Sequence, residues 1–130
     1  MKKAALTDLI KREDVVFYNF VDHGSLYSRP MTVHDNKDGT IFLLTSRNSE
    51  LYLLLQTLTI VNLTLTKENT FLVLQGKYTW SQDKKLIDEY WDEMAEQLLK
   101  LPKDDSSVTV VQFKVEEFHY WKTPTEKSAE

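Results

Sequence analysis

The chain has 130 residues, of which 42% are hydrophobic and 28% charged, with a formal net charge of −4; this describes one ordinary folded domain, long enough to bury its own core. Net acidity argues against a nucleic-acid partner, because duplex phosphates need clustered cations and single strands a cationic groove. With no cysteine, a disulfide framework, a thiolate nucleophile and a Cys-ligated metal are all ruled out.

At the N-terminus, Asp8, Lys11, Arg12, Glu13 and Asp14 interrupt any apolar run before it could serve as a secretory signal, so a short amphipathic helix and a cytoplasmic location are expected. Residues 15–21 are β-branched and aromatic, and the polar Asp22-His23-Gly24-Ser25 that follows offers a glycine for a positive φ. The pattern predicts a hairpin. Its second strand carries Ser28 and Arg29 directly before Pro30; a proline gives no N–H to a neighbour, so this strand belongs at an edge. Arg29 beside that edge is either an anion contact or a solvated charge that blunts it.

Asp35-Asn36-Lys37-Asp38-Gly39 reads as a dense turn, and the continuous apolar run 40–45 as a third strand buried on both faces. Ser49 is a good N-cap for a helix over 50–58 with Glu50 in its first turn. That helix is apolar nearly all round, which suits one held between the sheet and a partner. The apolar-rich stretch 51–65 contains Gln56, Asn62 and several threonines, short of the roughly 18 apolar residues of a membrane span, so no membrane partner is expected.

Residues 60–66 alternate with period two, a turn is expected at 67–69, and a strand over 70–80 completes a second hairpin. Gly76 within that strand marks a bulge or the close approach of another backbone, as where a sheet curls into a barrel. From Asp83 the period changes to 3.6, with Ile87, Tyr90, Trp91, Met94 and Leu98 on one stripe and Asp88, Asp92 and Glu96 on the solvated face of a single helix. Residues 102–107 break it, 108–118 form a last strand, and 125–130 make a disordered tail after a domain of 1–124. His23, His34 and His119 show no metal-ligand spacing, no metal is expected, and His34 reads as a solvated strand-end histidine. The fold class is mainly β: a six-stranded antiparallel barrel with flanking helices.

With the elements placed, the chain resembles the FMN-binding split-barrel family related to pyridoxamine 5′-phosphate oxidase, and within it the general stress protein 26 branch. The resemblance runs over about residues 5–121 and rests on Gly24, Ser28-Arg29-Pro30-Met31, Asp38-Gly39, Phe42-Leu43-Leu44-Thr45-Ser46, Ser49, Val61, Gly76 and the closing Phe118-His119-Tyr120-Trp121. It implies a homodimer with an FMN groove at its interface and a flavin-dependent oxidoreductase activity. By that resemblance Arg29, Pro30, Met31 and Thr32 run along the flavin and Leu44, Thr45 and Ser46 complete the wall. Ser49 at a helix N-terminus and Arg47 near it attend the phosphate, and Trp121 neighbours the ligand. Taken without the family, Thr45, Ser46 and Ser49 equally describe an ordinary capping turn, and Trp91 a core residue.

Two departures stand out. After its serine the family carries an arginine and a lysine that grip the FMN phosphate; this chain has Glu50 and Leu51 there, two positive charges giving way to one negative. Phosphate affinity is expected to fall, and the alternative is a non-enzymatic split-barrel dimer that has given up FMN or holds another ligand. His34 stands where the true oxidases place a substrate-binding lysine, which argues against pyridoxamine phosphate oxidation.

Overall fold

A computed structural model describes residues 6–57, 60–67, 69–123 and 126–128. Residues 1–5 of the expected first helix, Leu58, Thr59, Glu68 and residues 124, 125, 129 and 130 lie outside the described residues. The elements are α1 (Leu6–Leu9), β1 (Val15–Asp22), β2 (Ser25–Thr32), β3 (Asp35–Lys37), β4 (Thr40–Ser46), α2 (Glu50–Thr57), β5 (Ile60–Lys67), β6 (Thr70–Ser81), α3 (Lys84–Tyr90), α4 (Glu93–Leu99), β7 (Val108–Thr123) and β8 (Glu126–Ser128).

All eight strands belong to one antiparallel sheet in the order β2-β1-β5-β6-β7-β4-β3, with β8 against β7. The two ends of that order, β2 and β3, are joined in the chain by Val33 and His34 alone. The sheet therefore curls until its edges nearly meet, which makes it a split barrel. β1 and β2 turn through His23 (φ 49°) and Gly24 (φ 80°), the pair of positive φ values that matches the twist of a two-residue hairpin. Pro30 sits on the edge strand, opposite Phe17.

Among the described residues the strand count is eight rather than the expected six. Asp35-Asn36-Lys37 is a strand, not a turn, because Asn36 faces inward: its Nδ2 donates to the carbonyls of Leu6 (2.7 Å) and Ile10 (3.1 Å) and its Oδ1 accepts from the Gly39 N–H (3.2 Å). The side chain thus ties β3 to α1, adding a second donor to the Leu6 carbonyl, which also accepts from the Ile10 N–H at 3.0 Å, and one to the Ile10 carbonyl. The second extra strand, β8, extends the sheet beside the end of β7, within the stretch expected to be disordered.

Two cores flank β4. Ile41 and Leu43 face the barrel interior with Val16, Leu63, Leu74 and Phe113, while Phe42 and Leu44 face α3 and α4 with Ile87, Tyr90 and Ala95. This double burial explains the unbroken apolar run, and each such side chain contributes roughly 1.5–3 kcal/mol. The helix expected from Asp83 to Leu98 is two helices. Trp91 leaves the helical region (ψ 132°) and Asp92 caps the start of α4, its carboxylate accepting from the Ala95 N–H at 2.8 Å. Asp92 is therefore an N-cap rather than part of a solvated face, and it also pairs with Arg12, whose Nη1 donates to the His34 carbonyl at 3.2 Å. Leu98, expected on the apolar stripe, is 56% exposed.

Candidate functional site

The ends of β2 and β4 lie side by side where the barrel splits, capped by the start of α2 and the end of α4. Between them is a cleft of about 390 Å³ lined by Val15, Pro30, Met31, Thr32, His34, Leu44, Thr45, Ser49, Leu98 and Leu99, within the roughly 300–1,000 Å³ of small-molecule sites. Its walls are mostly aliphatic. The hydroxyls are organised: Thr45 Oγ1 donates to Ser49 Oγ (2.7 Å), which also accepts from the Tyr52 N–H (3.1 Å). Ser49 is thus the N-cap of α2.

His34 is 2% exposed, contrary to the solvated histidine expected at a strand end. The strand it follows is drawn inward by its bond to β4, His34 N–H to the Phe42 carbonyl at 2.8 Å, and its Nδ1 accepts from the Leu44 N–H at 3.3 Å. The proton of the neutral ring therefore sits on Nε2, which is buried and meets no hydrogen-bond partner among the described residues. Burial, with the Arg12 guanidinium second, holds its pKa down at about 4, so the ring is uncharged at neutral pH.

Six of the ten residues expected around a ligand, Pro30, Met31, Thr32, Leu44, Thr45 and Ser49, converge on this cleft. The other four face elsewhere. Ser46 Oγ is taken by Ser107 Oγ (3.3 Å) and the Asn48 N–H (3.0 Å). Arg47 is exposed, outside the cleft lining, and its N–H bonds the Ser107 carbonyl at 2.8 Å. Trp121 borders a separate cleft of about 630 Å³ with Phe17, Thr64, Phe71 and Val73, which meets the first at Val15. Val15, Leu98 and Leu99 line the cleft without any sequence signal marking them out, whereas His34 sits two residues past the segment 29–32 that the family resemblance had already placed there.

Arg29 is engaged within the chain. Its Nε donates to Glu50 Oε1 at 3.1 Å and its guanidinium lies 5.5 Å from the ring centres of both Phe20 and Tyr27. Tyr18 Oη donates to the same Glu50 oxygen at 3.4 Å; burial and that carboxylate push the phenol up to about 12 and keep it a donor. A carboxylate of the chain itself therefore stands in the first turn of α2, at the positive end of the helix. The cleft suits a largely apolar ligand. It does not suit a phosphate, since none of its lining residues is cationic.

Solved structures share this architecture. General stress protein 26 of Bacillus anthracis matches with a TM-score of 0.74 at 14% identity, covering 98% of each chain. A protein related to general stress protein 26, of the pyridoxinephosphate oxidase family, from Clostridium acetobutylicum matches at 0.71 and 17%, covering 88% of this chain and 83% of its own. The general stress FMN/FAD binding protein of Xanthomonas citri matches at 0.69 and 18%, covering 98% and 90%. No curated protein matches the chain. At these identities the likeness establishes the fold; kinship comes from the sequence profile described as pyridoxamine 5′-phosphate oxidase like, which matches residues 2–130. A split barrel whose β2 and β4 ends frame a ring-sized cleft, carried on a sequence that fits this profile almost from end to end, places the chain in the pyridoxamine 5′-phosphate oxidase-like family.

Proposed function

We propose that this protein is a flavin-binding split barrel of the general stress type that holds the ring system of the flavin between β2 and β4 and works as a homodimeric oxidoreductase. The observation that carries the reading is the convergence of Pro30, Met31 and Thr32 with Leu44, Thr45 and Ser49 on one apolar-walled cleft. The Xanthomonas citri neighbour, described as an FMN/FAD binding protein, supports it. When bound, a flavin supplies the electron-transfer chemistry, and the protein supplies binding and orientation. Pro30, Leu44 and Leu98 give flat apolar contact, the neutral His34 offers an Nε2–H donor, and Thr45 and Ser49 offer hydroxyls. The uncharged His34 also supports a chemistry other than pyridoxamine phosphate oxidation.

The second reading, a split-barrel dimer holding no flavin, is favoured by the Arg29–Glu50 pair. Titration with riboflavin and FMN, followed by quenching of flavin fluorescence, separates the two. Saturable quenching by either flavin is expected, and Leu98→Asp, at an exposed rim position, should weaken it about tenfold by replacing apolar contact with a charge. A colourless protein that quenches neither flavin is the outcome that removes the flavin reading.

Support for the homodimer comes from the apolar face that the barrel leaves open. Val15 (47%), Phe17 (42%) and Val21 (42%) on β1, Leu26 (68%) on β2, Val61 (48%) on β5 and Leu53 (58%) on α2 are all exposed, more clustered apolar surface than a free-standing barrel ordinarily shows to water. The face adjoins the cleft at Val15. Sedimentation at micromolar concentration should give a dimer, and Phe17→Asp should shift it to monomer without lowering its helix and strand content. A wild-type protein that sediments as a monomer sets the homodimer aside.

A further inference from the structure

Resting on the flavin reading, we propose that this cleft selects an uncharged flavin of the riboflavin class over its phosphate ester. Three features point the same way. The cleft lining carries no Lys, Arg, Asp or Glu, so it offers a phosphate of nearly two charges no ion partner. His34, its only ionisable side chain, is neutral, and the unpartnered Nε2–H on this 98% buried residue is a donor suited to a neutral carbonyl or ring nitrogen.

Glu50 is the third feature. It opens α2, directly after the Ser49 that lines the cleft, and engages Arg29 through Nε at 3.1 Å and Tyr18 through its hydroxyl at 3.4 Å. The pair does two things at once: it removes Arg29, the residue before Pro30 of the lining, from service and puts a negative charge at the helix start, where a ligand phosphate would otherwise find favourable amide dipoles. A second anion there meets repulsion from Glu50, whereas a terminal hydroxyl meets none. Ser49 Oγ already accepts from Thr45 and from the Tyr52 N–H, so its remaining capacity is its own proton, adequate for a hydroxyl and slight for a dianion.

The test is a side-by-side titration of the full chain with riboflavin and FMN at low and high salt, in the wild type and in Glu50→Gln and Glu50→Lys. Riboflavin should bind at least about tenfold more tightly than FMN at low salt, with the gap closing as salt screens Glu50. Glu50→Gln, which also frees Arg29, should raise FMN affinity several-fold and leave riboflavin within about twofold, and Glu50→Lys should reverse the preference. A structural effect of these substitutions would move both flavins together, leaving the ratio unchanged, and would overturn the inference. FMN binding as tightly as riboflavin in the wild type also overturns it while leaving the flavin reading standing. Failure of both to bind removes the flavin reading itself.

Discussion

Gly76→Ala is expected to cost about 3 kcal/mol of stability or more, near the top of the range for overpacking, although it adds a single methyl group to a strand. A Cβ at this position would lie 1.9 Å from the Lys114 carbonyl oxygen, 2.8 Å from its carbon and 3.1 Å from the Val115 Cα. These are backbone atoms that no rotamer change can move aside. Nor can β7 retreat, because it is held from its other side: Lys114 pairs with Thr40 of β4, and the Val115 N–H donates to the Gly39 carbonyl at 2.9 Å. The register shift between Gln75 and Gly76, which skips Glu116, is the bulge that brings the two strands this close. The control is Gly24→Ala, at φ 80° with nothing within 4 Å, where the left-handed backbone alone should cost about 1–2 kcal/mol. Urea unfolding of the two variants measures the difference. Equal losses would mean that β6 and β7 are not in backbone contact at Gly76. Because β7 also carries β4, Gly76→Ala should additionally weaken flavin binding at the Leu44–Thr45 wall.

The legible parts of the fold are those where one local rule acts alone. His23-Gly24 needed only turn chemistry, Pro30 only its missing N–H, Gly76 only its missing side chain, and each is where the sequence placed it. Ser49 likewise caps α2 as its position before Glu50 implied. The misreadings fall where two rules compete. Asn36 has the composition of a turn residue, yet its amide serves α1 from a strand; that distant partner leaves no mark in the local pattern. Asp92 fits both the polar face of one long helix and the cap of a second, and its bond to the Ala95 N–H together with its Arg12 pair decides for the cap. The site was legible as far as strand ends and the helix cap are adjacent in the chain. Contributions from α4 and the burial of His34 depend on long-range packing, and periodicity carries no trace of it.

Lowering the pH from 7 to 4 should withdraw about 3 kcal/mol of stability through His34 alone. The sign follows from the direction of its shift. In the unfolded chain the imidazole takes up a proton near its ordinary value of 6.5, whereas in the folded protein it resists until about 4. Between those values the unfolded state binds more protons, so stability falls as pH falls through this window and is constant in this group outside it. A difference of about 2.5 pH units at roughly 1.36 kcal/mol each gives the figure. Burial is the main cause and the Arg12 guanidinium the next, while the Thr32 backbone pulls the other way. Other groups titrate over the same range, so the comparison is with His34→Asn, whose Oδ1 can still accept from the Leu44 N–H. That variant should be less stable at pH 7 but lose about 3 kcal/mol less on acidification, as read from urea midpoints at a series of pH values. Parallel losses in the two proteins would place His34 in water and remove it from the cleft. Bound riboflavin should deepen the wild type's acid loss, since protonating His34 would put a charge where the flavin needs a neutral donor. The ligand should therefore leave only near and below pH 4, where the folded protein's own His34 takes up its proton.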